Sequence, residues 1–193
     1  MLRPLYDWTL RLAAHRRAAW ALGGVSFVES SFFPIPPDTL LIPMVLANRA
    51  KAWAYATICT ITSVLGGVAG YLIGYFLFDL VGQPLLSFYG YGGKFQDFAA
   101  RYNEWGAWIV FIAGVTPFPY KVITIASGVT QLNIVVFIVA SIVARAARFY
   151  AVAGLLYLYG PAVRNLIERR LGLIATLAVA LLLGGFLAIR LFA

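Results

Sequence analysis

Pro34-Ile35-Pro36-Pro37-Asp38 interrupts one apolar stretch of the chain, and Pro117-Phe118-Pro119-Tyr120-Lys121 interrupts another about 83 residues later. Each break is followed by a hydrophobic helix bearing glycine and tyrosine: Gly70, Gly74 and Tyr75 in the first case, Gly154 and Tyr159 in the second. Proline lacks a backbone donor and its ring clashes with the preceding turn, so a Pro-x-Pro ends a helix. Backbone broken at membrane depth persists only where protein buries it or where it lines a polar cavity. Paired breaks in corresponding places are a pointer to a transport site near the bilayer midplane.

Composition agrees with that setting. The 193 residues suit one domain, and 62% of them are apolar while 11% are charged, against roughly 25% charged in an ordinary soluble domain. The single Cys59 excludes an internal disulfide, and the lone His15 beside Arg16 and Arg17 reads as an interfacial side chain. No His, Cys and carboxylate cluster has metal-ligand spacing, so neither a metal nor another cofactor is expected. The net charge of +8 is carried at the ends of hydrophobic segments or inside them, which favours anionic lipid over nucleic acid as partner. Arg11, His15, Arg16 and Arg17 also interrupt any apolar signal-peptide core.

Along the chain, residues 2–17 read as an amphipathic interfacial helix and 18–79 as a first repeat, with the break at Pro34–Pro37 and an unbroken span over 52–79. Residues 80–104, polar and glycine-rich, read as a loop and surface helix. Residues 105–159 form a second repeat, broken at Pro117–Pro119 and followed by a span over 133–159; a further span covers 171–191. The arm from Trp108 to Thr116 is about nine residues, roughly 13 Å as helix. Such an arm reaches about halfway across a hydrocarbon core of about 30 Å, so each broken segment is expected to be a re-entrant hairpin, with a kinked full span as the alternative for the first, whose arm before Pro34 is longer. Basic residues then gather on one face: the N-terminal arginines, Arg49 and Lys51, and Arg164, Arg169 and Arg170. That face is expected to be cytoplasmic, N-terminus included. The two repeats consequently enter from opposite faces, an inverted repeat in an all-α integral membrane protein.

Five ionisable residues fall inside apolar segments, where each is a functional hypothesis by default: Glu29, Asp38, Lys121, Arg145 and Arg148. Asp38 and Lys121 each stand two residues after the second proline of a Pro-x-Pro, so the repeat predicts that they approach each other directly or across a small polar cavity, either as a charge pair that locks the hairpins or as substrate contacts. Arg145 and Arg148, at i and i+3, share a helix face and could cradle a phosphate, or could simply balance Glu29 and Asp38. Three bases against two acids leave one positive charge over, which an anion would neutralise. Gly66, Gly70 and Gly74 make a stripe for close helix packing, within the monomer or in a homo-oligomer. Gly90-Tyr91-Gly92-Gly93-Lys94 lacks the context of a potassium filter, and Phe95 stands where a phosphate loop needs Ser or Thr. Ser30, Ser31 and Ser127 have no accompanying histidine, so a serine hydrolase is unsupported and no enzyme is expected.

The Glu29…Pro34-Ile35-Pro36…Asp38 segment, the Gly66–Tyr75 helix, Thr116-Pro117-Phe118-Pro119-Tyr120-Lys121, and Arg145…Arg148-Phe149 together resemble the DedA family of membrane proteins, the VTT or SNARE-associated domain type. They are most similar to its YqaA-like branch, over about residues 20–160. The resemblance implies paired re-entrant hairpins, residence in the bacterial inner membrane, and lipid translocation with undecaprenyl phosphate or phospholipids as substrates, driven in some relatives by the proton motive force. Better-known branches carry arginines on both sides of the second proline pair. Here Gly114 stands at the first place and Tyr120-Lys121 at or beside the second, with Arg145 and Arg148 as the nearby charge. The leading expectation is a flippase or scramblase holding a phosphate headgroup with Lys121, Arg145 and Arg148, while Glu29 and Asp38 exchange protons or act as charge partners. The alternative is a proton-coupled exporter or ion transporter for a soluble substrate, and a third is a membrane assembly protein.

Overall fold

The computed structural model describes residues 17–32, 36–88, 92–116 and 118–160. Every regular element among them is helical: α1 (Ala18–Ser31), α2 (Asp38–Ala47), α3 (Ala52–Leu77), α4 (Gln83–Phe88), α5 (Gly92–Val115), α6 (Tyr120–Val129) and α7 (Ile134–Gly160). A 3-10 turn at Arg49–Lys51 leads into α3, and a π turn at Phe78–Gly82 leaves it. The interfacial helix expected over 2–17 (Arg17 apart), the span expected over 171–191, and the break residues Pro34 and Pro117 lie outside the described residues.

Proline sets both restarts. Pro37 (φ −65°) immediately precedes α2 and Pro119 (φ −62°, ψ 97°) immediately precedes α6. At a helix N-terminus the missing N–H would have had no intrahelical partner, so proline there costs little. α3 and α7 are long and apolar enough to cross a membrane. Their outward faces are apolar too: Leu65, Phe76 and Leu77 on α3 and Val135, Val139, Leu155 and Leu158 on α7 are all exposed. A soluble domain rarely leaves such extended apolar surface in water.

α1 runs alongside the first half of α3 in the same direction. Ser26 Oγ donates to the Cys59 carbonyl (2.9 Å), Ser30 and Ser63 share a hydrogen bond (2.7 Å), and Ser31 Oγ donates to the Gly66 carbonyl (3.0 Å). α1 therefore ends beside the middle of α3, and α2 leads back to the turn where α3 starts. The second half repeats this arrangement on α7. Gly106 of α5 faces Leu132, just before α7, while Gly114 faces Ala144 near the middle of α7. α6 then leads to Asn133, whose Oδ1 accepts from the Val135 and Val136 N–H groups at the start of α7.

One boundary differs from the sequence reading. α5 is a single helix of 24 residues that passes unbroken through the 104/105 division between surface helix and broken segment. Charged residues Asp97, Arg101 and Glu104 suggest a separate surface element, yet no proline interrupts the run before Pro117. The part from Gly106 to Gly114 lies beside the segment from Leu132 to Ala144.

The glycine stripe is used inside the monomer. A Cβ at Gly66 would strike the Phe27 backbone carbonyl, and one at Gly74 the Ile125 carbonyl; Gly128 of α6 in turn presses on the Tyr71 carbonyl. α3 is thus clasped between α1 and α6 at backbone contact distance, the packing that small residues permit in lipid. Two apolar clusters result. One joins Leu22, Leu41, Met44, Tyr55 and Phe149, and the other joins Tyr71, Tyr102, Val110, Tyr120 and Phe137. Between them along α3 and α7 lies a polar layer containing Ser63, Ser141 and Arg145.

Candidate functional site

The polar layer is centred on Arg145, only 2% exposed. Its Nη2 donates to Glu29 Oε2 (2.8 Å) and to Ser30 Oγ (3.2 Å), and its Nε donates to Ser63 Oγ. The guanidinium also lies over the Tyr120 ring at 4.6 Å and the Phe149 ring at 4.9 Å. Ser30 Oγ donates to the same Glu29 oxygen (3.1 Å), and Tyr120 O–H donates to Ser141 Oγ. A buried charge is tolerable when a counter-charge and hydrogen bonds satisfy it, and Arg145 has both. It ties α1, α3 and α7 together.

Arg148, one turn on, shares that helix face but reaches elsewhere. Its Nη2 donates to Asp38 Oδ2 (2.6 Å), the first residue of α2, and its Nη1 to the Thr116 carbonyl (2.9 Å) just past α5. One guanidinium therefore connects the two breaks. A cation is favourable at the C-terminal end of α5, and an acid is favourable at the N-terminal end of α2. Arg148 and Asp38 remain partly exposed, at 20% and 24%, and Asp38 Oδ1 has no hydrogen-bond partner among the described residues.

The direct Asp38–Lys121 ion pair that the repeat allows is not formed among the described residues. Asp38 is bonded to Arg148, and Lys121, half-buried in the first turn of α6, has no carboxylate partner among the described residues. The repeat puts the two residues at equivalent places in the chain; the longer reach of Arg148 from α7 takes the acid. Equivalence by repeat said nothing of which base would lie closest.

Several contributors were not singled out from sequence. Ser63 and Ser141 look unremarkable in apolar helices, and Tyr120 stands out in sequence only as part of a motif. Ser30 reads in sequence as a hydroxyl without a histidine, whereas in the fold it bridges Glu29, Arg145 and Ser63. The available signal was hydroxyls recurring at membrane depth opposite an arginine. Gly114 also gains a reason: a Cβ there would meet the Ala144 Cβ, so the close approach of α5 to α7 needs glycine. The cationic groups at this level come from α7 and Lys121 instead. Among the described residues no group of His, Cys, Asp and Glu is arranged to hold a metal ion.

The VTT domain matches residues 33–158, which takes in both breaks and both long helices. The chain belongs to the DedA family. This DedA protein is 40% identical to an uncharacterized protein of Haemophilus influenzae over 151 residues, 78% of each chain. An uncharacterized protein of Histophilus somni is 37% identical over the same length and coverage. Undecaprenyl phosphate transporter A of Staphylococcus aureus is 28% identical over 136 residues, 66% of this chain and 67% of that one. No solved structure matches. Family membership and the two long apolar helices make this DedA chain a membrane protein.

Proposed function

We propose that this DedA protein is a flippase or scramblase that carries a phosphate-bearing lipid across the bacterial inner membrane. The observation that carries the reading is the charge balance where the two breaks meet. Arg145 and Arg148 are paired with Glu29 and Asp38, which leaves Lys121 without an acid partner among the described residues. An anionic headgroup supplies the missing charge, and arginine forks suit phosphate oxygens. The transporter named for undecaprenyl phosphate among the relatives supports the same substrate class.

In this reading α1–α2 and α5–α6 are re-entrant hairpins from opposite faces, each followed by a crossing helix, and together they form an inverted repeat. The support is geometric. α1 stops beside the middle of α3 and α5 beside the middle of α7, while each ten-residue second arm, about 15 Å long, returns to the start of the next long helix. The headgroup passes between the hairpin tips at Pro34, Pro36, Pro117 and Pro119, and the hydrocarbon tail stays in the bilayer. The N-terminus is cytoplasmic, and Glu29 and Asp38 either exchange protons or serve as charge partners during the cycle. No covalent chemistry is involved, so the protein is not an enzyme.

Vesicles reconstituted with the purified protein and labelled undecaprenyl phosphate or phospholipid test this. Wild type is expected to move the label between leaflets, and Arg148→Ala, expressed and folded normally, is expected to lose at least tenfold in rate. Unchanged movement in Arg148→Ala would sink the proposal.

A further inference from the structure

The two arginines of α7 are unequal in a way that assigns them different jobs. Arg145 is enclosed: three hydrogen-bonded side chains and two aromatic faces surround it, and removing it would strand the part-buried Glu29 carboxylate. Among the described residues Arg148 makes two hydrogen bonds, one to the residue that starts α2 and one to the carbonyl just past α5. Its fork is split between a carboxylate and a carbonyl, so neither partner receives the bidentate geometry that makes arginine pairs strong. Asp38 is likewise half satisfied, through Oδ2 alone. Should Arg148 leave, Asp38 still sits in the first turn of α2, where free N–H groups and the helix dipole stabilise its charge. Glu29, near the end of α1, lies far from a helix N-terminus of its own and has the Ser30 hydroxyl as its other donor.

We infer that Arg148 is a partner-exchanging latch, resting on the headgroup reading above: a phosphate group arriving at Lys121 draws the Arg148 fork away from Asp38 and the Thr116 carbonyl. The exchange disconnects α2 from the end of α5 and lets the two breaks separate. Arg145 keeps its partners throughout and holds α1 to α3 and α7 as the fixed frame. The chemistry recognised is a phosphate oxyanion, whether on a lipid or free in solution. Lys121 is the landing point because it lies in the first turn after the second break and has no competing acid among the described residues. Arg148 is thus both a binding residue and the link whose loss reports binding.

The test uses the full chain in phosphatidylcholine nanodiscs. Cysteines replace the exposed residues Thr39 and Phe118 on the two sides of the gap, in a Cys59→Ala background, and carry spin labels. Pulsed distance measurements are made without addition, with inorganic phosphate, and with undecaprenyl phosphate. Undecaprenyl phosphate is expected to shift the distribution to longer, broader distances. Asp38→Ala and Arg148→Gln, each checked for a monodisperse folded state, are expected to show that shift with no ligand. A shift with inorganic phosphate as well means the site reads the phosphate alone, and a shift with the lipid only means the tail is required; both support the latch. If neither variant shifts the distance, or if a lipid that the protein moves leaves it unchanged, the latch is wrong. If the variants and phosphate open the gap but vesicle assays detect no lipid movement, the latch stands and the lipid-transport reading falls.

Discussion

The two breaks match in sequence and differ in charge. Around the first, Glu29 on the leading arm and Asp38 on the returning arm are each held by an arginine of α7. Around the second, the leading arm contributes a backbone carbonyl at Thr116 and the returning arm a lysine without a carboxylate. A repeat that were only architectural would have no reason to put both acids on one side and the unbalanced base on the other. The first break is therefore the anchored half. The second is the half that an anion would complete.

Four substitutions probe that contrast, in descending order of expected effect on stability. Arg145→Ala leaves the part-buried Glu29 with only the Ser30 hydroxyl as a partner among the described residues, so it should destabilise by about 3–5 kcal/mol in detergent unfolding assays and depress expression. A double Glu29→Gln, Arg145→Gln variant should recover part of that loss, because no charge is then stranded. Gly66→Ala drives a methyl into the Phe27 backbone, where neither α1 nor α3 can yield cheaply; about 1–3 kcal/mol and a drop in midpoint temperature are expected. A wild-type midpoint would mean that the clasp on α3 is looser than its geometry implies.

Asp38→Asn should cost only about 1 kcal/mol, since the pair it weakens is partly exposed and an amide oxygen can still accept from Arg148. Its transport should nevertheless change, because the charge that competes with substrate for Arg148 is gone. Lys121→Met comes last for stability. With no ion pair to break, it should stay within about 0.5 kcal/mol of wild type while losing substrate binding. A large unfolding penalty for Lys121→Met would reveal a structural partner and would erase the contrast between the breaks.

Much of the scaffold was legible because it follows from strong local rules. Pro36 and Pro37, and then Pro119, stop one helix and start the next, and the apolar runs that became α3 and α7 have few alternatives in lipid. The five charged residues stood out because each sits among apolar neighbours. Their pairing was less legible. Arg145 and Arg148 share a face by helical period, yet which acid each meets depends on how deeply α1 lies against α3, and that depth is set by Gly66 meeting Phe27. Lys121 was matched to Asp38 by repeat position, which fixes equivalence and not distance. The roles of Ser63 and Ser141 were invisible for the same reason: a hydroxyl in an apolar helix declares itself only once a partner from another helix is known. The continuity of α5 was obscured by its charges, which mark exposure and not a break.

The central claim is that the meeting of the two breaks recognises a phosphate on a lipid. Vesicles containing the purified protein and either labelled undecaprenyl phosphate or labelled undecaprenol, the same chain without phosphate, test it most directly. The account predicts leaflet exchange of the phosphate lipid at least tenfold faster than of the alcohol, with that preference lost in Lys121→Met. Equal exchange of both lipids, or a preference that survives Lys121→Met and Arg148→Ala, would contradict it.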